Sequence, residues 1–155
     1  MDEIVIPAPN AEARVEALAR LDGLVKPIGA LGRLEELGAW LSAAHGVVPP
    51  REIRNVRVVV FAGDHGVTSS AVSAYPREIT AAMVRVFLTG TSGVNVLAKQ
   101  VGAQVRVVDI AVDADMDDVP ADVRAHKIRR GSGAIDVEDA LAPGEARSAF
   151  DAGRA

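Results

Sequence analysis

Cysteine is absent from the 155 residues, which excludes a disulfide framework, a thiolate metal site and a cysteine nucleophile. Aromatic residues are scarce, with one Trp, one Tyr and three Phe. The core must therefore fill with Ala, Val and Leu, as expected where helices pack closely on a parallel sheet. An excess of basic charge is lacking too. The formal net charge of −4 leaves no electrostatic footprint for nucleic acid. No apolar run reaches the roughly 20 residues of a bilayer-spanning helix, and MDEIVIPAPN lacks the charged-then-apolar layout of a signal peptide. The sequence reads as a soluble cytoplasmic protein.

What is present is patterned for an α/β fold. Nearly half of the residues, 49%, are apolar, and the length suits a domain with a real core. Residues 1–9 suggest an extended arm. Asn10 is placed to cap a helix running to about Leu24, with Val15, Leu18, Leu21 and Leu24 on its inner face. The Gly29–Gly32 corner opens a second helix whose stripe is Leu34, Leu37, Leu41 and Ala44, stopped by Gly46. Residues 1–50 are thus expected to form an arm and small helical subdomain, and residues 51–155 the first part of a parallel α/β domain.

Val58 to Phe61 is a continuous apolar run that suits a strand buried on both faces. Pro76 is placed at the first position of a helix with Ile79, Ala82, Met83, Val86 and Phe87 on its apolar face. Thr91 or Ser92 starts another helix, with Val94, Leu97, Ala98 and Val101 inward. Val105 to Val112 is the second strand, parallel to the first through a crossover. DADMDDVPAD reads as an acidic surface loop, Val123 to Ile128 as a short strand, and RRGSG as a turn. A last helix after Pro143 carries Phe150 and shows no stop signal by Ala155. Two parallel strands also make a poor sheet alone. The expected architecture is a Rossmann-like parallel sheet with flanking helices, cut short as an incomplete fold.

Asp64 and His65 follow the first strand at its carboxyl end, where open α/β sheets bind ligands. They read either as an acid–base or metal pair, or as residues that cap loop amides and pack under the crossover. A metal-dependent hydrolase would need further ligands from Asp109, Asp113, Asp115, Asp117 and Asp118, which more often form a solvated surface. Tyr75 and Met83 are either core residues or the walls of a slot for a flat ring. GALG, GTSG and GSG resemble phosphate loops, but none is a GxGxxG or P-loop motif. Arg124, His126, Lys127, Arg129 and Arg130 could meet a phosphate or simply be solvated. His45 reads as a helix-end cap.

KPIGALGRLEELGAWL at 26–41, VVVFAGDHGVTSSAVSAYPREITAAMVRVFLTGTSGVNVLAKQVGAQVRVVDIAV at 58–112 and IRRGSGAI at 128–135 together resemble the nicotinate-nucleotide–dimethylbenzimidazole phosphoribosyltransferases. The resemblance covers nearly the whole chain but only about the first half of a family member. It implies transfer of phosphoribose from nicotinate mononucleotide to 5,6-dimethylbenzimidazole, giving α-ribazole 5′-phosphate and nicotinate for the lower loop of cobalamin. No cofactor and no metal are implied, and the full-length protein is expected to be a homodimer. The family's general base is a Glu that would lie beyond Ala155, so no catalytic residue is assigned and the chain is expected to be inactive alone. Tyr75 and Met83 match positions of the benzimidazole slot, where some members carry Ser and Gln. Asp64, His65 and Pro76 are expected to scaffold the loop before it. The competing expectation is a non-catalytic half or assembly module of a split enzyme.

Overall fold

The computed structural model describes residues 4–155, so the first three residues of the expected arm lie outside the described residues. The chain forms two compact units, the first ending at Arg54 and the second spanning Asn55–Ala155.

The first unit is a pair of helices, α1 (Ala11–Asp22) and α2 (Arg33–His45). The Asn10 side chain accepts the Ala13 amide at 2.9 Å, as an N-cap should. Gly46 closes α2 in the left-handed conformation. Between the helices, Glu35 accepts the Leu31 amide and pairs with Lys26 at 2.8 Å, which ties down the glycine corner. The expected inner faces are wrong in detail. Ala13, Ala17, Ala39, Ser42 and Ala43 are buried, whereas Val15, Leu24, Leu34 and Leu37 are exposed. Small side chains let two helices approach closely, so within this unit the alanine faces meet and the leucine stripe turns outward.

The second unit holds a two-stranded parallel sheet of β1 (Arg57–Gly63) and β2 (Gln104–Ala111). Val58 pairs with Val105 and Val60 with Val107, and the register shifts at Gly63, which stands opposite Ala111. Between the strands run α3 (Glu78–Thr89) and α4 (Gly93–Gln100), followed after β2 by α5 (Ala121–Arg124) and α6 (Glu145–Arg154). Side chains alternate across a strand, so Val58, Val60 and Ala62 point one way and Val59 and Phe61 the other. Ala62 joins the core with Ala81 and Val84 of α3 and Val107 of β2. Val59 and Phe61 are exposed, so β1 is covered on one face and not on both as expected.

Four other expectations change. In α3 the buried residues are Ala81 and Val84, while Ile79, Met83 and Val86 remain open; the helix meets the sheet through its smaller residues. In α4 only Ala98 of the expected stripe is buried. Residues 121–124 form a helix and not a strand, because Pro120 turns the chain and drives Val123 into the core. The acidic loop is not mere surface, since Met116 and Val119 reach the same core.

Glu78–Gln100, taken as one apolar stretch, would be long enough to cross a bilayer. It is not one helix. Gly90 adopts a φ of 77° and the buried Ser92 side chain caps a new start, leaving helices of 12 and 8 residues. Each falls short of the roughly 20 residues that spanning requires.

Candidate functional site: a cleft at the end of the first strand

The carboxyl end of β1 stops at Gly63, and Asp64 turns into the space between the sheet and α3. Its carboxylate accepts the Thr80 hydroxyl at 2.6 Å and the Asp113 amide at 2.7 Å. Its own amide donates to Ala111, and its carbonyl accepts the Ser132 amide, both at 2.9 Å. Asp64 thus joins four chain segments at one buried point. Both carboxylate oxygens are engaged by structural donors, an arrangement that rigidifies a loop.

The DHG glycine has a steric reason. A Cβ on Gly66 would lie 2.5 Å from the Gly133 carbonyl carbon and the Ala134 nitrogen, so no other residue fits without moving backbone. His65 contributes through its backbone. Its carbonyl accepts the Thr68 amide at 3.1 Å and the Thr68 hydroxyl at 2.7 Å. The imidazole is exposed and does not pack under the crossover.

Beyond this corner lies a cleft of about 380 Å³ lined by Asp64, Tyr75, Pro76, Thr80, Met83 and Phe87, among others. Tyr75 and Met83, eight positions apart in sequence, face the same space. Tyr75 stands at the mouth, 73% exposed, and Met83 forms part of the wall. Pro76 sits two residues before α3 and not at its first position; its carbonyl accepts the Ile79 amide at 3.2 Å. That i to i+3 bond is a tight first turn of the kind common at helix starts. The sequence does not single out Arg77, Thr80 or Phe87 as site residues. The signal exists for two of them, because Thr80 and Phe87 lie three before and four after Met83 on one helical face.

A second cavity of about 290 Å³ lies against Phe61 and Ile110, on the sheet face away from the α3 core, with His65 and Arg129 among its lining.

Of the basic candidates after β2, Arg124, Lys127, Arg129 and Arg130 are paired, and His126 is half-buried without an ion pair among the described residues. Lys127 bonds the fully buried Asp109 and the Ala114 carbonyl, each at 2.9 Å. Arg129 meets Glu145, Arg124 meets Asp117, and Arg130 meets both Asp113 and Asp115. The Ala142 amide, and after it Arg129, hold the Glu145 carboxyl below its ordinary range. Arg85 does the same to Asp118 by hydrogen bonding. These four cations are engaged by carboxylates of the same unit. Among the described residues no three His, Asp or Glu side chains are grouped to hold a metal ion. His45 accepts the Arg51 amide on Nδ1 at 3.1 Å.

The phosphoribosyltransferase family profile matches residues 6–155. A nicotinate-nucleotide–dimethylbenzimidazole phosphoribosyltransferase of Mycobacterium marinum is 53% identical over 149 residues, which are 96% of this chain and 41% of the relative. The enzyme of the same name from Streptomyces coelicolor is 49% identical over 151 residues, 97% of this chain and 42% of its own. The crystal structure of nicotinate-nucleotide–dimethylbenzimidazole phosphoribosyltransferase from Thermus thermophilus superposes with a TM-score of 0.86 at 40% identity, covering 94% of this chain and 43% of that one. The chain spans less than half the length of these relatives.

Proposed function

This chain belongs to the phosphoribosyltransferase family, and from that premise we propose that it supplies the base-receiving part of a transfer of phosphoribose from nicotinate mononucleotide to 5,6-dimethylbenzimidazole. The observation that carries the reading is the cleft in which Tyr75 and Met83 face one another's space beside the strand end. Its volume falls within the range of small-molecule pockets, roughly 300–1,000 Å³. Tyr75 offers a flat apolar face with a polar hydroxyl, and Met83 a polarizable wall that adapts to a ring. Asp64, Pro76 and the backbone of His65 hold the loop from which Tyr75 projects.

In the transfer, the lone pair of one azole nitrogen forms the new bond to the anomeric carbon. Nicotinate leaves with the electron pair of the old glycosidic bond, and the proton on the other azole nitrogen passes to a general base. Neither Asp64 nor any other residue of this chain is given that role; both oxygens of Asp64 are already committed to Thr80 and Asp113. The base is a Glu of the family's later sequence. What this chain contributes is orientation of the acceptor ring, an effect large enough to dominate such reactions. A cytoplasmic location and a homodimer in the full-length protein belong to the same reading.

Two measurements test the proposal. Fluorescence titration with dimethylbenzimidazole should show saturable binding that Y75A weakens. Incubation with nicotinate mononucleotide and dimethylbenzimidazole, followed by chromatography, should yield no α-ribazole 5′-phosphate. Robust turnover would overturn the assignment of the base elsewhere, and no binding at millimolar ligand would overturn the cleft.

A further inference from the structure

The segment that carries Tyr75 has few anchors of its own. Ala71 is the one non-glycine residue with positive φ, 57°, among the described residues, and a side chain tolerates that conformation only when its surroundings enforce it. From Val72 to Tyr75, the hydrogen bonds among the described residues are the local ones between the Ser73 hydroxyl and Tyr75. The segment is held from its two ends. Its upstream end, the 3-10 turn Gly66–Ser70, is gripped by Arg77, which stands just before α3. The Arg77 Nε donates to the Thr68 hydroxyl at 2.8 Å and Nη2 to the Gly66 carbonyl at 3.0 Å, while Nη1 reaches Asp113 at 3.4 Å. One planar fork therefore fastens the turn before Tyr75, the helix after it and the loop following β2.

We propose that Arg77 is a positioning residue for the cleft: its guanidinium closes the Gly66–Arg77 loop and so fixes Tyr75 over the space that Met83 lines. This rests on the base-binding reading of the cleft only for its ligand; the positional claim stands on the contacts themselves. Arginine is required because three acceptors in different directions must be met by one rigid donor group. An ammonium on a flexible stem satisfies fewer of them in a fixed geometry.

Tyr75 is the sole tyrosine, so biosynthetic 3-fluorotyrosine places a single ¹⁹F probe at the mouth of the cleft. The wild-type chain should give one narrow resonance. R77A should split or broaden it and weaken dimethylbenzimidazole binding on the order of tenfold, the cost of ordering a freed loop on binding. R77K should recover part of both effects. A purely structural role predicts otherwise: a lower unfolding midpoint, with the Tyr75 resonance and the affinity of the folded protein unchanged. That result overturns the proposal. Should R77A fail to fold, R77K decides by the same two readouts, and an unchanged resonance and affinity there overturn it as well. If the wild-type chain binds no base, the reading of the cleft fails, and the ¹⁹F comparison alone decides the claim for Arg77.

Discussion

Replacing Asp64 separates a scaffold from a reacting group, because the two roles respond differently to D64A and D64N. Asp64 is buried and accepts two hydrogen bonds, from the Thr80 hydroxyl and the Asp113 amide. D64A strands both donors. The hydroxyl can turn toward another acceptor, but the amide is fixed by the backbone. An unpaired buried donor costs about 1–3 kcal/mol; both of these bonds are part-buried, so each counts toward the lower end, and the two together make about 2–4 kcal/mol a fair expectation. For a unit the size of Asn55–Ala155, that lowers Tm by roughly 10–20 °C at about 5 °C per kcal/mol. D64N keeps the volume and one oxygen. That oxygen can still accept the Asp113 amide, while the new NH₂ meets the Thr80 oxygen, so the loss should be about 1 kcal/mol. Differential scanning calorimetry gives both numbers, and fluorescence titration with dimethylbenzimidazole gives the function. A scaffold predicts that folded D64N binds the base nearly as the wild type does. If D64N melts like the wild type yet loses binding more than tenfold, Asp64 contacts the ligand and the scaffold assignment is wrong. A D64A change below about 0.5 kcal/mol would equally refute the energetic argument, since it would mean that both donors find other partners.

Two more outcomes follow from the same geometry. G66A places a methyl 2.5 Å from backbone atoms of Gly133 and Ala134, and overpacking against backbone should cost about 1–3 kcal/mol; urea denaturation checks it, and an unchanged midpoint would show that the two loops separate freely. The Glu145 carboxyl is held below its ordinary value of 4.5 by the Ala142 amide and then Arg129, so its contribution is present above pH 4.5 and disappears as pH falls through the lowered value. The hydrogen-exchange protection of the Ala142 amide should persist at pH 5.5 and fall away in stronger acid; loss of protection already at pH 6 would contradict this.

Much of the local structure could be read without coordinates. Asn10, Ser92 and Gly46 act at helix ends as their chemistry dictates, because a cap is a contact between near neighbours in the chain. The two strands, their parallel pairing and the helices between them follow from apolar runs and their spacing. What misled the reading was the choice of face. The leucine stripe of α2 and the Ile79, Met83 and Val86 stripe of α3 have the periodicity of buried surfaces, yet alanines and Val84 make the inward contacts. Periodicity says that a helix has two sides; it does not say which partner each side meets, and small residues win where backbones approach closely.

The acidic loop and the basic segment illustrate the same limit from the side of charge. As separate stretches, Asp113–Asp118 and Arg124–Arg130 look like solvated surface. In the fold Arg124 meets Asp117, Arg130 meets Asp113 and Asp115, and Lys127 reaches the buried Asp109. Arg85 takes Asp118 and Glu145 takes Arg129, while Met116 and Val119 enter the core. Such pairings, from 7 residues apart for Arg124 and Asp117 to 33 for Arg85 and Asp118, depend on how the chain turns between the partners, and no local pattern encodes them. The same is true of the cleft. Composition, caps, strands and the DHG stretch at a strand end were determined by the sequence itself, since each rests on neighbours within a few residues. Only the tertiary structure decided that Asp64 spends both carboxylate oxygens on Thr80 and the Asp113 amide while its backbone ties in Ala111 and Ser132, and that Tyr75, Thr80 and Met83 share one cavity. Those facts depend on the crossover that returns the chain beside β1, which sets side chains from a loop and a helix around the same space.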